Sequence, residues 1–175
     1  VISIPQDEGD IDVLYSEGYN DESITATFQS HMQNVVAEYS LMRKMNGSAN
    51  IVNCDDVNCI PRADGFGWDI YIKMELLTPL LKSLPAGVVS DEIVLKIARD
   101  LCQALVLCKK HEIVHRDIKP QNIFLSPNGD YKLGDFGVSM ISDHTTFAST
   151  AGTYRYMAPE VYFNKPYGFK SDLYS

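Results

Sequence analysis

The first 42 residues contain no lysine and no arginine. Over the whole chain 15 basic side chains stand against 23 acidic ones, a formal charge of −8. Binding to a polyanion depends on Lys and Arg neutralising its phosphates, so neither nucleic acid nor an anionic membrane surface fits as the main partner. No run of about eighteen apolar residues occurs. Nor does a basic stretch precede an apolar one at the N-terminus, so no membrane segment and no secretion signal is expected in these residues. Cysteine is scarce: Cys54, Cys59, Cys102 and Cys108 sit in otherwise apolar stretches without C-x-x-C spacing. That excludes a zinc site and fits buried free thiols in a reducing cytoplasm. A G-x-G-x-x-G phosphate loop is missing too, for Gly65-Phe66-Gly67 lacks the third glycine. The 175 residues suffice for one domain with a sizeable core or for two small lobes.

What the chain does have is concentrated between residues 113 and 160. His115-Arg116-Asp117-Ile118-Lys119-Pro120-Gln121-Asn122 is followed by Asp135-Phe136-Gly137 and then by Ala158-Pro159-Glu160. Any one of these is weak, since Asp-Phe-Gly alone is most often a turn. Together they fix on the order of ten positions in order, which chance does not produce. Transfer of a γ-phosphoryl group needs one carboxylate to orient the attacking hydroxyl, and an amide and a second carboxylate to hold Mg²⁺ against the phosphates. Asp117, Asn122 and Asp135 offer those groups in that order. On these motifs the chain resembles the eukaryotic-type serine/threonine protein kinases; tyrosine kinases usually carry an Arg-containing version of the Lys119-Pro120-Gln121-Asn122 segment.

The resemblance implies an α+β, bilobal protein-kinase-like fold truncated at both ends, with a partial β-rich N-lobe over residues 1–77 and a partial helical C-lobe over 78–175. It implies ATP and Mg²⁺ as cofactors. Asp117 would be the base, Lys119 would reach the γ-phosphate, and the Thr153 hydroxyl would bridge Asp117 and Lys119. Asn122 and Asp135 would hold the metal, with Gln121 in the same nucleotide-binding segment. Glu38 would pair with the ATP-contacting Lys, Met74 would be the gatekeeper, and the backbone of Glu75 and Leu77 would bond adenine. Phe124 would support the adenine from below or serve as plain core. That Lys and the phosphate loop are expected just upstream of Val1. Thr145, Thr146, Ser149, Thr150 and Thr153 lie in a candidate activation segment, with Thr150 first and Ser149 second as phosphate acceptors and Arg116 as counter-charge. The implied partners are a protein substrate with a Ser/Thr acceptor and an activating kinase, or autophosphorylation in trans. The implied location is cytoplasmic, with membrane tethering of the parent left open. A pseudokinase or scaffold is the alternative, and a small-molecule kinase is a third reading.

Local patterns place these motifs on elements. Val1-Ile2-Ser3-Ile4 reads as the tail of a strand, and residues 6–25 as a solvated, mobile acidic insertion. A helix is expected over 27–45 with Val35, Tyr39, Met42 and Met45 inward and Glu38 at the edge of that stripe. Strands are expected over 51–57 and 69–75, and a short helix over 80–84. The clearest helix starts at the N-cap Ser90 and turns Ile93, Ile97, Leu101, Leu105 and Cys108 to the core. Asn128-Gly129 predicts a hairpin pairing 123–125 with 131–133. His115, Phe136 and Met42 would stack as a column or as ordinary core. Asp172 would cap a last helix and brace the backbone at His115; the rest of that helix, those that pack behind it and the Arg partner of Glu160 would be absent, leaving an open apolar face.

Overall fold

The structure, a computed structural model, describes residues 1–7, 9–63, 65–136, 155–163 and 168–175. It divides into two units: Val1–Lys44 with Cys54–Met74, and Met45–Asn53 with Glu75–Ser175. The expected first lobe included 45–53; the structure groups that segment with the second unit. The cause is hydrogen bonding described below.

The first unit is a three-stranded antiparallel sheet with a long helix packed on it. Strand β1 (Ile2–Ile4) pairs with β3 (Trp68–Met74), which also pairs with β2 (Cys54–Pro61), giving the order β1-β3-β2. Ile70 at the centre is fully buried. Gly67, just before β3, permits the close approach of β1: a Cβ there would stand 2.2 Å from the Ile4 carbonyl oxygen. Helix α2 runs Asp21–Lys44 and buries Ile24, Phe28, Val35, Tyr39 and Met42 on one stripe. Fully burying a side chain of this size stabilises by roughly 1.5–3 kcal/mol, so this stripe holds the unit together.

Residues 6–25 differ from expectation. Gly9–Ser16 forms a helix, α1, and α2 begins six residues earlier than its apolar pattern suggested. Both starts are capped reciprocally. The Asp10 amide donates to Asp7 Oδ1 at 3.2 Å and the Asp7 amide to Asp10 Oδ2 at 3.4 Å. At α2 the Ser23 amide donates to Asn20 Oδ1 and the Asn20 amide to Ser23 Oγ, both at 2.9 Å. Polar side chains read as loop formers are here end caps that satisfy otherwise orphaned N–H groups. α1 buries none of its residues.

The second unit is mainly helical around a small sheet. Strands β4 (Thr78–Pro79), β5 (Ile123–Leu125) and β6 (Tyr131–Leu133) are antiparallel in that order. The β5–β6 hairpin closes as the sequence predicts, with Gly129 at φ +87° donating its N–H to the Ser126 carbonyl at 3.0 Å. Ile51 does not join β2 as expected; it forms a parallel bridge to Leu133 instead. The Val52 amide donates to the Leu133 carbonyl and the Leu133 amide to the Asn50 carbonyl, both at 2.9 Å. Asn50 Nδ2 adds a bond to the Tyr131 carbonyl at 3.0 Å. These bonds explain why 45–53 belongs here.

Helix α3 (Leu80–Ser83) precedes α4 (Asp91–Lys110), whose N-cap Ser90 accepts from the Ile93 amide. The buried centre of α4 is Asp100, Ala104 and Cys108, while Ile97, Leu101 and Leu105 are half-buried. The face turns toward β6 because the Asp100 carboxylate accepts the Tyr131 amide there at 2.9 Å, while Lys96 Nζ on α4 itself donates to it at 2.8 Å. Burial pushes the Cys108 thiol up to about 12, with the Asp172 charge adding to it, so this thiol is packing and not chemistry. Helices α5 (Pro159–Tyr162) and α6 (Phe169–Tyr174) complete the described residues, with α6 against α4. Among the described residues no helix is long and apolar enough to cross a membrane.

Candidate active site

The candidate site is the loop between α4 and β5 together with the turn after β6, all within the second unit. Its floor is His115, 1 % exposed. The Asp172 carboxylate on α6 takes both amides of the loop's entrance, His115 N–H and Arg116 N–H, each at 2.8 Å. Asp172 thus braces the loop but caps no helix, since it lies inside α6. Arg116 (φ +72°) and Asp135 (φ +57°) hold left-handed backbones that non-glycine residues rarely adopt. Such strain, of order 1–3 kcal/mol each, persists only where surrounding bonds enforce it.

The imidazole of His115 is held in one tautomer. Nε2–H donates to the Gly134 carbonyl at 3.0 Å, which leaves Nδ1 to accept the Asp117 amide at 3.3 Å. The ring lies 4.6 Å from that of Phe136, centroid to centroid. Burial holds the His115 pKa below its usual 6.5, outweighing the Gly134 bond and the nearby carboxylates. The unfolded chain therefore takes up this proton first, and the full-length protein should lose stability as pH falls below about 6.5. Thermal midpoints at pH 7.5 and 5.5, compared with those of His115→Gln, check this: the variant should show the smaller drop. An equal drop in both would sink it. Asp135 acts with the opposite sign, in a window starting at its ordinary 3.8. Its raised pKa contributes stability below 3.8 that is lost as pH rises, and because Asp135 is present in both proteins its contribution drops out of the comparison with His115→Gln.

Around this floor the polar groups converge. Lys119 Nζ lies 2.5 Å from Asp117 Oδ2. Asn122, buried in the turn of 3-10 helix Pro120–Asn122, points Nδ2 at the Asp117 carbonyl (2.8 Å) and at Asp117 Oδ2 (3.1 Å). With its nitrogen so engaged, its amide oxygen accepts no hydrogen bond among the described residues. The Gly134 amide donates to the Asn122 carbonyl at 2.9 Å, which sets Asp135 beside that turn. Glycine is required at 134, because a Cβ would meet Val52 Cγ2 at 2.7 Å and the Phe124 ring at 3.2 Å. Asp135 is pushed above its ordinary pKa by burial first and by the Asp117 charge second. Finally, Asp117 Oδ1 is buried and accepts no hydrogen bond among the described residues. An unsatisfied buried carboxylate oxygen costs free energy and is kept where a ligand donor completes it.

The model for the protein kinase domain matches residues 20–175. The chain belongs to the protein kinase family. Its relatives include the human serine/threonine-protein kinase Nek2, 35 % identical over 161 residues that make up 84 % of this chain and 35 % of the relative. The MAP kinase kinase MKK1/SSP32 of Saccharomyces cerevisiae is 40 % identical over 113 residues, 61 % of this chain and 22 % of that protein. The Aurora kinase of Patiria pectinifera is 28 % identical over 161 residues, 87 % and 39 % respectively. The chain thus spans between about a fifth and two fifths of the length of these curated relatives. The α+β architecture in two units is that of a protein kinase domain.

Within this kinase domain the structure brings together Asp117, Lys119, Asn122 and Asp135, with Phe124 half-buried behind Gly134. Gln121 is exposed beside them. Glu38, half-buried on α2, and Met74, the last residue of β3, belong to the first unit. Glu75 and Leu77 belong to the second. The Glu75 N–H is donated to the Asn53 carbonyl at 3.2 Å, so its carbonyl, not its amide, remains for a base. Thr153 and the other candidate phosphate acceptors, Thr145, Thr146, Ser149 and Thr150, lie outside the described residues. Glu160 accepts a hydrogen bond from Ser171 Oγ at 2.7 Å, which lowers its pKa. Sequence reasoning missed the buried Lys132 and the side chain of Glu75, which bond at 2.7 Å. A lysine between Tyr131 and Leu133 in an apolar strand was the available signal, since a buried ammonium needs an anion.

Proposed function

We propose that the parent protein is an ATP-dependent serine/threonine protein kinase whose phosphoryl-transfer centre is Asp117, Lys119, Asn122 and Asp135. The observation that carries this reading is the buried, unbonded Oδ1 of Asp117, a carboxylate oxygen fixed by its neighbours and lacking one donor. A substrate Ser or Thr hydroxyl is that donor. Its proton passes to Asp117 as the hydroxyl oxygen bonds to the γ-phosphorus and the bond from that phosphorus to the bridging oxygen breaks, releasing ADP. Lys119, 2.5 Å from Asp117 Oδ2, offers its charge to the phosphoryl oxygens. Because the transition state is loose, positioning supplies much of the acceleration.

The donor set fits Mg²⁺: an amide oxygen on Asn122 and a carboxylate on Asp135 whose charge is disfavoured where it stands are hard oxygen ligands short of a cation. When bound, the ion would neutralise charge on the β- and γ-phosphates. The carbonyl of Glu75 and the main chain of Leu77 are assigned to the adenine, with Gln121 and Phe124 near it. Glu38, Met74 and Thr153 keep their family roles on the motif match alone. Protein substrates follow from the family. An activating kinase, or autophosphorylation in trans at Thr150 or Ser149, is part of this reading, as is a cytoplasmic location, which the four free cysteines suit. A scaffold without transfer is disfavoured, because it has no chemical need for all three of Asp117, Asn122 and Asp135. The test is incubation of the full-length protein with γ-labelled ATP, Mg²⁺ and a protein substrate, followed by phosphoamino-acid analysis. Label on serine or threonine supports the reading; label on tyrosine alone, or none, removes it.

A further inference from the structure

One part-buried charge pair in the second unit is not used by the chemistry above. Lys132 on β6 has an 8 % exposed side chain and stands three residues before Asp135 in the same strand and turn. Its ammonium donates to Glu75 Oε1 at 2.7 Å and to the Ile51 carbonyl at 3.3 Å. The same Glu75 oxygen accepts the Asn53 amide at 2.6 Å, while the Glu75 amide donates back to the Asn53 carbonyl. Residue 75 is therefore fastened at three points to the 51–53 segment and β6. Beyond it, Thr78 pairs with Leu125 of β5, so the stretch 75–77 is anchored at both ends. Between those anchors Leu76 is 94 % exposed and has no strand partner.

We propose that Lys132 and the Glu75 side chain are positioning residues whose ion pair fixes the main chain of 75–77 relative to the turn carrying Asp135, and so sets the affinity for nucleotide. The proposal rests on the kinase reading above, in which 75–77 meets the base and Asp135 the metal at the phosphates. A nucleotide is a rigid ruler between those two contacts. An error of about an ångström at one end costs binding at the other. Breaking the pair also leaves charge without its counter-ion in a dry place, so the segment rearranges instead of waiting in place. The asymmetry is informative: without Lys132, Glu75 still accepts from Asn53, whereas without Glu75 a buried ammonium keeps, among the described residues, the Ile51 carbonyl.

The test uses the full-length protein and reads KM for ATP and kcat separately, with Mg²⁺ saturating. Lys132→Met should raise KM for ATP on the order of tenfold, a factor corresponding to about 1.4 kcal/mol, while kcat falls by less than about threefold. Lys132→Arg, which keeps the charge, should return KM to within about twofold. Adding Glu75→Gln to Lys132→Met should change KM by less than about twofold further, because the two act as one unit. Should Lys132→Met fail to fold, Glu75→Gln alone carries the comparison and should raise KM at least about threefold. An unchanged KM in a folded variant, a fall in kcat with KM unmoved, or multiplicative effects in the double variant would overturn the proposal while leaving the kinase reading intact. A wild-type protein without turnover would overturn both.

Discussion

Asp117→Asn should lower the rate of phosphoryl transfer by the full-length protein by about 10²- to 10⁴-fold, the range contributed by a positioned general base. Asparagine matches the shape of the carboxylate and can still accept from Asn122 Nδ2. What it cannot do is take a proton at the position of Oδ1 or hold the charge that draws Lys119 to 2.5 Å. Affinity for ATP should stay within about threefold, since the metal ligands Asn122 and Asp135 are untouched; uniform binding and transition-state stabilisation are separable in this way. Steady-state kinetics with a nucleotide-binding isotherm read both quantities. A rate within about threefold of wild type would remove Asp117 from the chemistry.

The second large effect is on stability. Asp172→Ala strips the acceptor from two amides at once, His115 and Arg116, in a region where His115 is 1 % exposed. Hydrogen bonds to a charged group contribute about 1.5–3 kcal/mol each, so the loss should reach about 3 kcal/mol or more. The strained backbone at Arg116 then loses the bond its amide makes at φ +72°, and the loop should relax away from the geometry that aims Asp117. Asp172→Asn rescues only partly, because its amide nitrogen would face one of the two N–H donors. Denaturant titration should show the loss in stability, with activity falling more than the unfolded fraction explains. A loss below about 1 kcal/mol with full activity would show the brace to be dispensable.

The parts of this molecule legible in the sequence are those in which chemistry and local pattern coincide. His115, Asp117, Asn122 and Asp135 are spaced by a turn and a hairpin whose Asn128-Gly129 signature is itself local, so the convergence of the site could be read before any coordinates. The stripe of Val35, Tyr39 and Met42 likewise follows from helical period. Less legible were features set by partners distant in the chain. Ile51 and Val52 read as the start of a strand over 51–57, but the hydrogen bonds of 50–52 go to β6, some eighty residues later, and no local rule announces that. The burial of Asp100 had no local signal, because its acceptor role depends on the Tyr131 amide. The caps at Asp7 and Asn20 were local and available; acidic composition over 6–25 simply outweighed them in the reading. Lys132 and Glu75 meet only through folding, 57 residues apart.

The central claim is that one divalent cation is shared by Asn122 and Asp135 beside the Asp117 carboxylate. Titration of Mn²⁺, a paramagnetic stand-in for Mg²⁺, into the full-length protein with a non-hydrolysable ATP analogue measures it directly by electron paramagnetic resonance. The account predicts saturable binding that Asp135→Asn weakens by at least about tenfold, as loss of ordered ligation does elsewhere. Equal affinity for Mn²⁺ in wild type and Asp135→Asn, with both proteins folded, would contradict it.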